Sequence, residues 1–182
     1  MSKLLKRALK ISLTPAILMI VGKFLGILIP TLIYDIQFAV RNEMVGISSI
    51  QIVFHDTTTT LFINSVSNLV MLALIALPTI YLIIKTSVYQ SALQNPRTVV
   101  KITRLNILKW VTKKDTGFLK IFIWCSFLVI TSSVIIVHTL QDMTYSWIGI
   151  SAGVISLFCI WGTIRTFELE IGKIYPEENR QY

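Results

Sequence analysis

The chain has 182 residues, 54% of them hydrophobic and 14% charged, and a net charge of +8. Soluble domains carry about 45–50% apolar and about 25% charged residues. A soluble fold of this length, one domain in size, has no interior large enough for so many Leu, Ile and Val side chains, whereas a bilayer is itself apolar. Positive charge spread over a globular surface would invite nucleic acid. Here it borders the apolar runs, so anionic lipid head groups are the expected partner and nucleic acid is not.

The first apolar run covers residues 11–34 and is long enough to span, but it contains Pro15, Pro30 and, near its middle, Lys23. Before it, Lys3, Lys6, Arg7 and Lys10 form a basic helical stripe beside Leu5, Ala8 and Leu9. That pattern also suits a helix on the membrane surface followed by a span over residues 22–40, with Asp35 inside it. The first parse is preferred, and either one leaves a charge at membrane depth. A cleaved signal peptide is not expected, because no small-residue cleavage site follows and Lys23 interrupts the run.

A lysine at the centre of a span costs about 2.5–3.5 kcal/mol on insertion scales, so it faces protein or a watery cavity. Asp35 is too far along the same helix to pair with Lys23, which leaves Asn64 and Asn68 of the second run as its expected polar neighbours within the chain. Gly22 and Gly26 flank the lysine at the spacing that lets two helix backbones approach closely.

Residues 35–60 form the next loop. His55 and Asp56 read as a solvated feature of it, since a zinc site needs three or four ligands and only His138 is left to add. Residues 47–54 alternate weakly and suit an extended segment. The second span, residues 61–84, carries no charge. It opens with a polar patch of Asn64, Ser65, Ser67 and Asn68, in which the two asparagines share a helix face. In a membrane such amides bind neighbouring helices. Pro78 is expected to bend this span.

The loop over residues 85–120 is the largest part outside the spans. Lys101, Arg104, Lys109, Trp110, Lys113 and Lys114, interleaved with aliphatic residues, suit docking to the inner head-group layer or to a partner. Residues 121–140, with only His138, and residues 145–164 form the third and fourth spans. Gly149 and Gly153 give the fourth a small surface for packing. Cys125 and Cys159 sit at equal depth and read as inert apolar fillers. Residues 165–182 are a tail that extends the fourth span as a helix, with Arg165 and Glu168 placed to pair.

Fifteen of the seventeen Lys and Arg residues then lie on one side. By the positive-inside rule both termini and the 85–120 loop are cytoplasmic. Trp124 and Trp161 fall at the inner interface, and Tyr145 and Trp147 at the outer one. The fold expected is an all-α bundle of four transmembrane helices in the cell (inner) membrane. No paired carboxylates, nucleophile elbow, metal-ligand group or cofactor motif is present, so no catalytic residue, metal or cofactor is assigned. The function expected is a non-catalytic assembly or accessory subunit joined to other membrane proteins. The alternative is a small transporter or channel, working as copies of itself, with Lys23, Asn64 and Asn68 lining the path.

Overall fold

A computed structural model describes residues 3–36, 38–41, 51–54, 56–94 and 118–174. Four long helices carry the fold: α1 (Lys3–Ile33), α2 (Thr57–Gln94), α3 (Phe118–Leu140) and α4 (Ser146–Ile174). Each contains a stretch long and apolar enough to cross a membrane: Ala8–Ile33, Thr57–Val88, Leu119–Leu140 and Ser146–Glu168. The expected all-α bundle is therefore the observed one. Between α1 and α2 a short antiparallel ribbon is added, β1 (Phe38–Arg41) and β2 (Gln51–Phe54), in the register Phe38↔Phe54 to Arg41↔Gln51. The second strand falls in the segment whose alternation suggested an extended chain.

The start of the chain resolves into one helix. The basic stripe and the apolar run are continuous from Lys3 to Ile33, through Pro15 and Pro30. A span over residues 22–40 is excluded, because the helix ends at Ile33 and Asp35 lies beyond that end. Likewise α2 runs unbroken through Pro78, and α4 carries on past the apolar run to Ile174 as expected of the tail.

The helix ends have local causes. Asp56 precedes α2, its backbone oxygen accepting from the Thr60 backbone N–H at 3.0 Å and from the Thr60 hydroxyl at 2.9 Å. Its carboxylate accepts from the Thr58 hydroxyl. This is an N-cap, made by an aspartate that is exposed to solvent as expected; His55 lies outside the described residues. At the other ends α1 and α3 close alike. Asp35 and Asp142 take left-handed φ values of 50° and 54°. The next N–H reaches back five residues, from Ile36 to Thr31 O and from Met143 to His138 O. Both are Schellman closures with aspartate in the place glycine usually fills.

The helices pair as two hairpins, α1 with α2 and α3 with α4. Helices α2 and α3 also pack on each other in the middle, while α1 and α4 do not meet among the described residues. The core between them holds Ile63, Ile75, Leu128, Ile135 and Ile148, all essentially without exposure. Hydroxyls in this interior are mostly absorbed locally. Thr79, Thr131 and Thr163 each bond the carbonyl four residues back on their own helix, so they cost little in an apolar setting.

Glycines set the closest approaches. A Cβ at Gly22 would stand 2.9 Å from Met71 Cα, and one at Gly26 would overlap the backbone of Ser67. The expected Gly22–Gly26 contact is thus real and lies within the chain, against α2. In the second pair only Gly149 is tight, where a Cβ would come within 2.9 Å of Thr139 Cβ. At Gly153 the nearest atom would be at 3.9 Å, an ordinary contact. Gly162, with Ile83 Cγ2 at 2.9 Å, is a further close approach that its sequence context did not signal.

The two hairpins differ in reach. Lys23 stands opposite Asn68, which stands opposite His138 and Thr144. Helix α3 stops at Leu140, two residues past His138, and α4 starts at Ser146, two residues after Thr144. Helix α1 continues over residues 24–33 and α2 starts at Thr57, so both reach about 15 Å past that level, which is about 12 Å or two turns beyond the end of α3. Tyr34 and Phe62 zip this extension with an edge-to-face contact at 5.9 Å.

Two outcomes follow from this packing. Gly26→Ala, which puts a methyl into α2 backbone, lowers stability in detergent micelles by about 1–3 kcal/mol, whereas Gly153→Ala leaves the unfolding midpoint unchanged; equal effects of the two would refute the contact map. The Thr58 hydroxyl, and then the first backbone N–H groups of α2, hold the Asp56 carboxyl below the usual aspartate range. Its folded value is depressed, so its contribution is present above the ordinary range and is lost as pH falls through the folded value. The midpoint difference between wild type and Asp56→Ala, measured by thermal unfolding, therefore shrinks on acidification below the usual aspartate range.

Candidate functional site

The polar residues of the bundle converge on α2. Ser65, Ser67 and Asn68 occupy about one turn and are all buried, at 1%, 0% and 0% exposure. Each reaches a different neighbour. The Ser65 hydroxyl accepts the Tyr145 backbone N–H at 3.0 Å, satisfying an orphan donor at the start of α4. The Ser67 hydroxyl donates to the Lys23 carbonyl oxygen at 2.9 Å, bonding to the backbone of α1 in place of its own helix. Asn68 Oδ1 accepts from Lys23 Nζ at 2.8 Å. Asn68 Nδ2 donates to Thr144 Oγ1 at 2.6 Å and stands 3.3 Å from His138 Nδ1. That last contact is a hydrogen bond when the ring carries its proton on Nε2.

Asn68 thus joins α1, α2, the end of α3 and the turn into α4. Its oxygen and its amide nitrogen are both in use, and it is the hub. Lys23 is gripped twice, its carbonyl by Ser67 and its ammonium by Asn68. The grip requires the glycines, since only with bare Cα atoms at 22 and 26 do the α1 and α2 backbones come near enough for Ser67 to reach across.

Of the residues expected to form the site, the structure brings Lys23 and Asn68 into direct contact, with Gly22 and Gly26 beside them. Asn64 is half-buried one turn away and outside this network. Lys23 lies near the middle of the apolar stretch of α1, as expected, and at the same time level with the end of α3. The midpoint of the long α1 run is not the midpoint of the bundle, because α1 overshoots the α3–α4 turn. His138 and Thr144 were not singled out as partners. Their signal was present, a polar side chain at each end of a short turn, but only the level of α1 and α2 shows what they meet. Lys101, Arg104, Lys109, Trp110, Lys113 and Lys114 lie outside the described residues.

Other polar and thiol groups stay apart from this junction. Cys125 and Cys159 are free and buried. Arg165 does not take up Glu168; its guanidinium lies over the Trp161 ring at 5.4 Å. Among the described residues no group of three or more His, Cys, Asp or Glu is placed to hold a metal. No protein-family model matches the chain, and neither a curated protein nor a solved structure matches it.

The hub makes a quantitative demand. Asn68→Leu leaves three polar partners without their bonds and destabilises the protein by about 1–3 kcal/mol, while Asn64→Leu changes stability far less. In a double-mutant cycle in micelles, Lys23→Met with Asn68→Leu shows a coupling of about 0.5–2 kcal/mol. Additive effects would mean that the two side chains do not interact.

Proposed function

We propose that this chain is a non-catalytic subunit of a larger membrane complex, with both termini and the basic 85–120 loop on the cytoplasmic side of the cell (inner) membrane. The observation that carries the assembly reading is the exposure of α1. Only 17% of its apolar stretch is buried inside the bundle, against 50% for α2 and 39% for α3 and for α4. Beyond Lys23 it still presents Phe24, Leu28, Leu32 and Ile33, each more than half exposed. A bilayer matched to the shorter α3–α4 hairpin does not cover this surface, and the apolar face of a second membrane protein does. The orientation rests on the charge asymmetry of the loops.

The alternative is a homo-oligomeric transporter or channel. Its support is the adjacency of Lys23, Asn68 and His138, a short chain of groups able to pass a proton or steady an ion.

Purification in a mild detergent through a C-terminal tag separates the two. The assembly reading expects a second protein to co-migrate with the wild type. It expects Leu28→Ser with Leu32→Ser to release that protein while the subunit's own unfolding midpoint is kept. Recovery of a homo-oligomer alone, with ion flux in reconstituted vesicles that Lys23→Leu abolishes, would establish the alternative. In intact cells the same tag is protected from external protease if the orientation is right.

A further inference from the structure

The ammonium of Lys23 is only partly satisfied. It has three N–H donors, and among the described residues one of them meets Asn68 Oδ1 while no carboxylate approaches. Among the described residues the junction around it contains amide, hydroxyl and imidazole groups and no acid, so none of them supplies a counter-ion to the ammonium. Its depth indicates what the counter-ion is. The apolar stretch of α3, Leu119–Leu140, is 22 residues and about 33 Å long, close to the ~30 Å of a bilayer's hydrocarbon. Lys23 is level with His138, two residues from the end of that stretch, which is where head-group phosphates begin. Tyr145 and Trp147, both exposed at this level, are placed as interfacial aromatic rings are. At the other end of the hairpins Lys85, Lys120 and Arg165 mark the opposite boundary.

The unequal hairpins shape the place. Helices α3 and α4 end just past the junction, and α1 and α2 rise beyond it. The extra two turns stand beside the half-buried Lys23, whose partners Asn68 and Thr144 are closed off inside the bundle. Asn64, one turn above Asn68 on the same helix face, stands on those turns with its amide outside the network. A half-buried cation and, one turn above its partner Asn68, a half-buried amide are the donors that this level offers to an oxyanion.

We propose that Lys23, with Asn64 above it, binds the phosphate of a membrane phospholipid in the leaflet on the side of the α3–α4 turn, the ammonium supplying the charge and the amide a second hydrogen bond. The site acts as a lipid anchor and stands apart from any protein partner held by the outer face of α1.

The test uses the full-length protein in nonionic detergent and reads thermal unfolding against four additives: dioleoylphosphatidylglycerol, dioleoylphosphatidylcholine, the phosphate-free monogalactosyl dioleoylglycerol, and inorganic phosphate. The two phospholipids raise the midpoint, and the galactolipid and inorganic phosphate do not. Lys23→Gln weakens phospholipid binding about tenfold, Lys23→Arg retains it, and Asn64→Ala weakens it less than Lys23→Gln. Stabilisation by the galactolipid equal to that by the phospholipids would overturn the site. Inorganic phosphate reproducing the full effect would overturn the lipid as its source. A partner's carboxylate cross-linking to Lys23 in native membranes would assign the counter-ion to a protein and also overturn it. Should Lys23→Gln fail to fold, the wild-type comparison of the four additives decides alone.

Discussion

The approach of the α1 and α2 backbones at Gly22 and Gly26 determines how the polar groups of the Lys23–Asn68 junction are placed. A Cβ at either position would collide with α2 backbone, so the interface is specified at the level of single atoms. Once the backbones touch, Ser67 reaches the Lys23 carbonyl and Asn68 reaches the Lys23 ammonium. Asn68 then has its amide hydrogens left, and they face two polar groups at that level of the second hairpin, Thr144 and His138. The glycine motif and the lysine, which look like separate features in the sequence, are parts of one device.

The level fixed in this way makes the hairpins unequal. Had Asn68 stood two turns earlier in α2, the α3–α4 turn would have docked near the ends of α1 and α2, and the bundle would have been flush. Instead the short hairpin stops beside the junction and the long one continues. A membrane cannot match both lengths at once without tilting, thinning or recruiting a neighbour. The extended α1–α2 segment is therefore the natural source of interactions outside the chain, and the junction at its foot is the natural place for a charge that needs a partner from outside.

Much of this was legible in the sequence for a physical reason: apolar runs in a membrane protein have little else to do than span. The four runs fall within the four helices to within one residue at their ends, and the positions of Gly22, Gly26, Lys23 and Asn68 were enough to suggest that they meet. What stayed hidden depends on the relative level of helices, which composition does not encode. Residues 11–34 place Lys23 near the middle of its own span, and only its pairing with Asn68 shows that this point is level with the end of α3. The caps were also obscured, because Asp35 and Asp142 occupy positions where glycine is the usual signal, and because His55 beside Asp56 drew attention to metal chemistry. Gly162 closes on Ile83 without any second small residue to mark it.

The composition of the junction follows from what drives helix association in lipid. Between apolar helices in hydrocarbon there is no hydrophobic gain from contact, since lipid tails are as apolar as leucine. Stripes of Ile and Leu such as Ile63, Ile75, Leu128 and Ile135 pack tightly in one register and nearly as well one turn away. Polar groups break that near-degeneracy, because a shift of one turn, about 5.4 Å, leaves each of them without a partner in a medium that supplies none. Single interhelical hydrogen bonds in membranes average about 0.6 kcal/mol, too little for any one to hold the bundle. Five groups engaged together by α2 at Ser65, Ser67 and Asn68 make every wrong register lose several bonds at once. On this reasoning the junction contributes more to the uniqueness of the fold than to its total stability. A lysine suits that role better than a second amide, because its single charge is the group least able to tolerate misplacement.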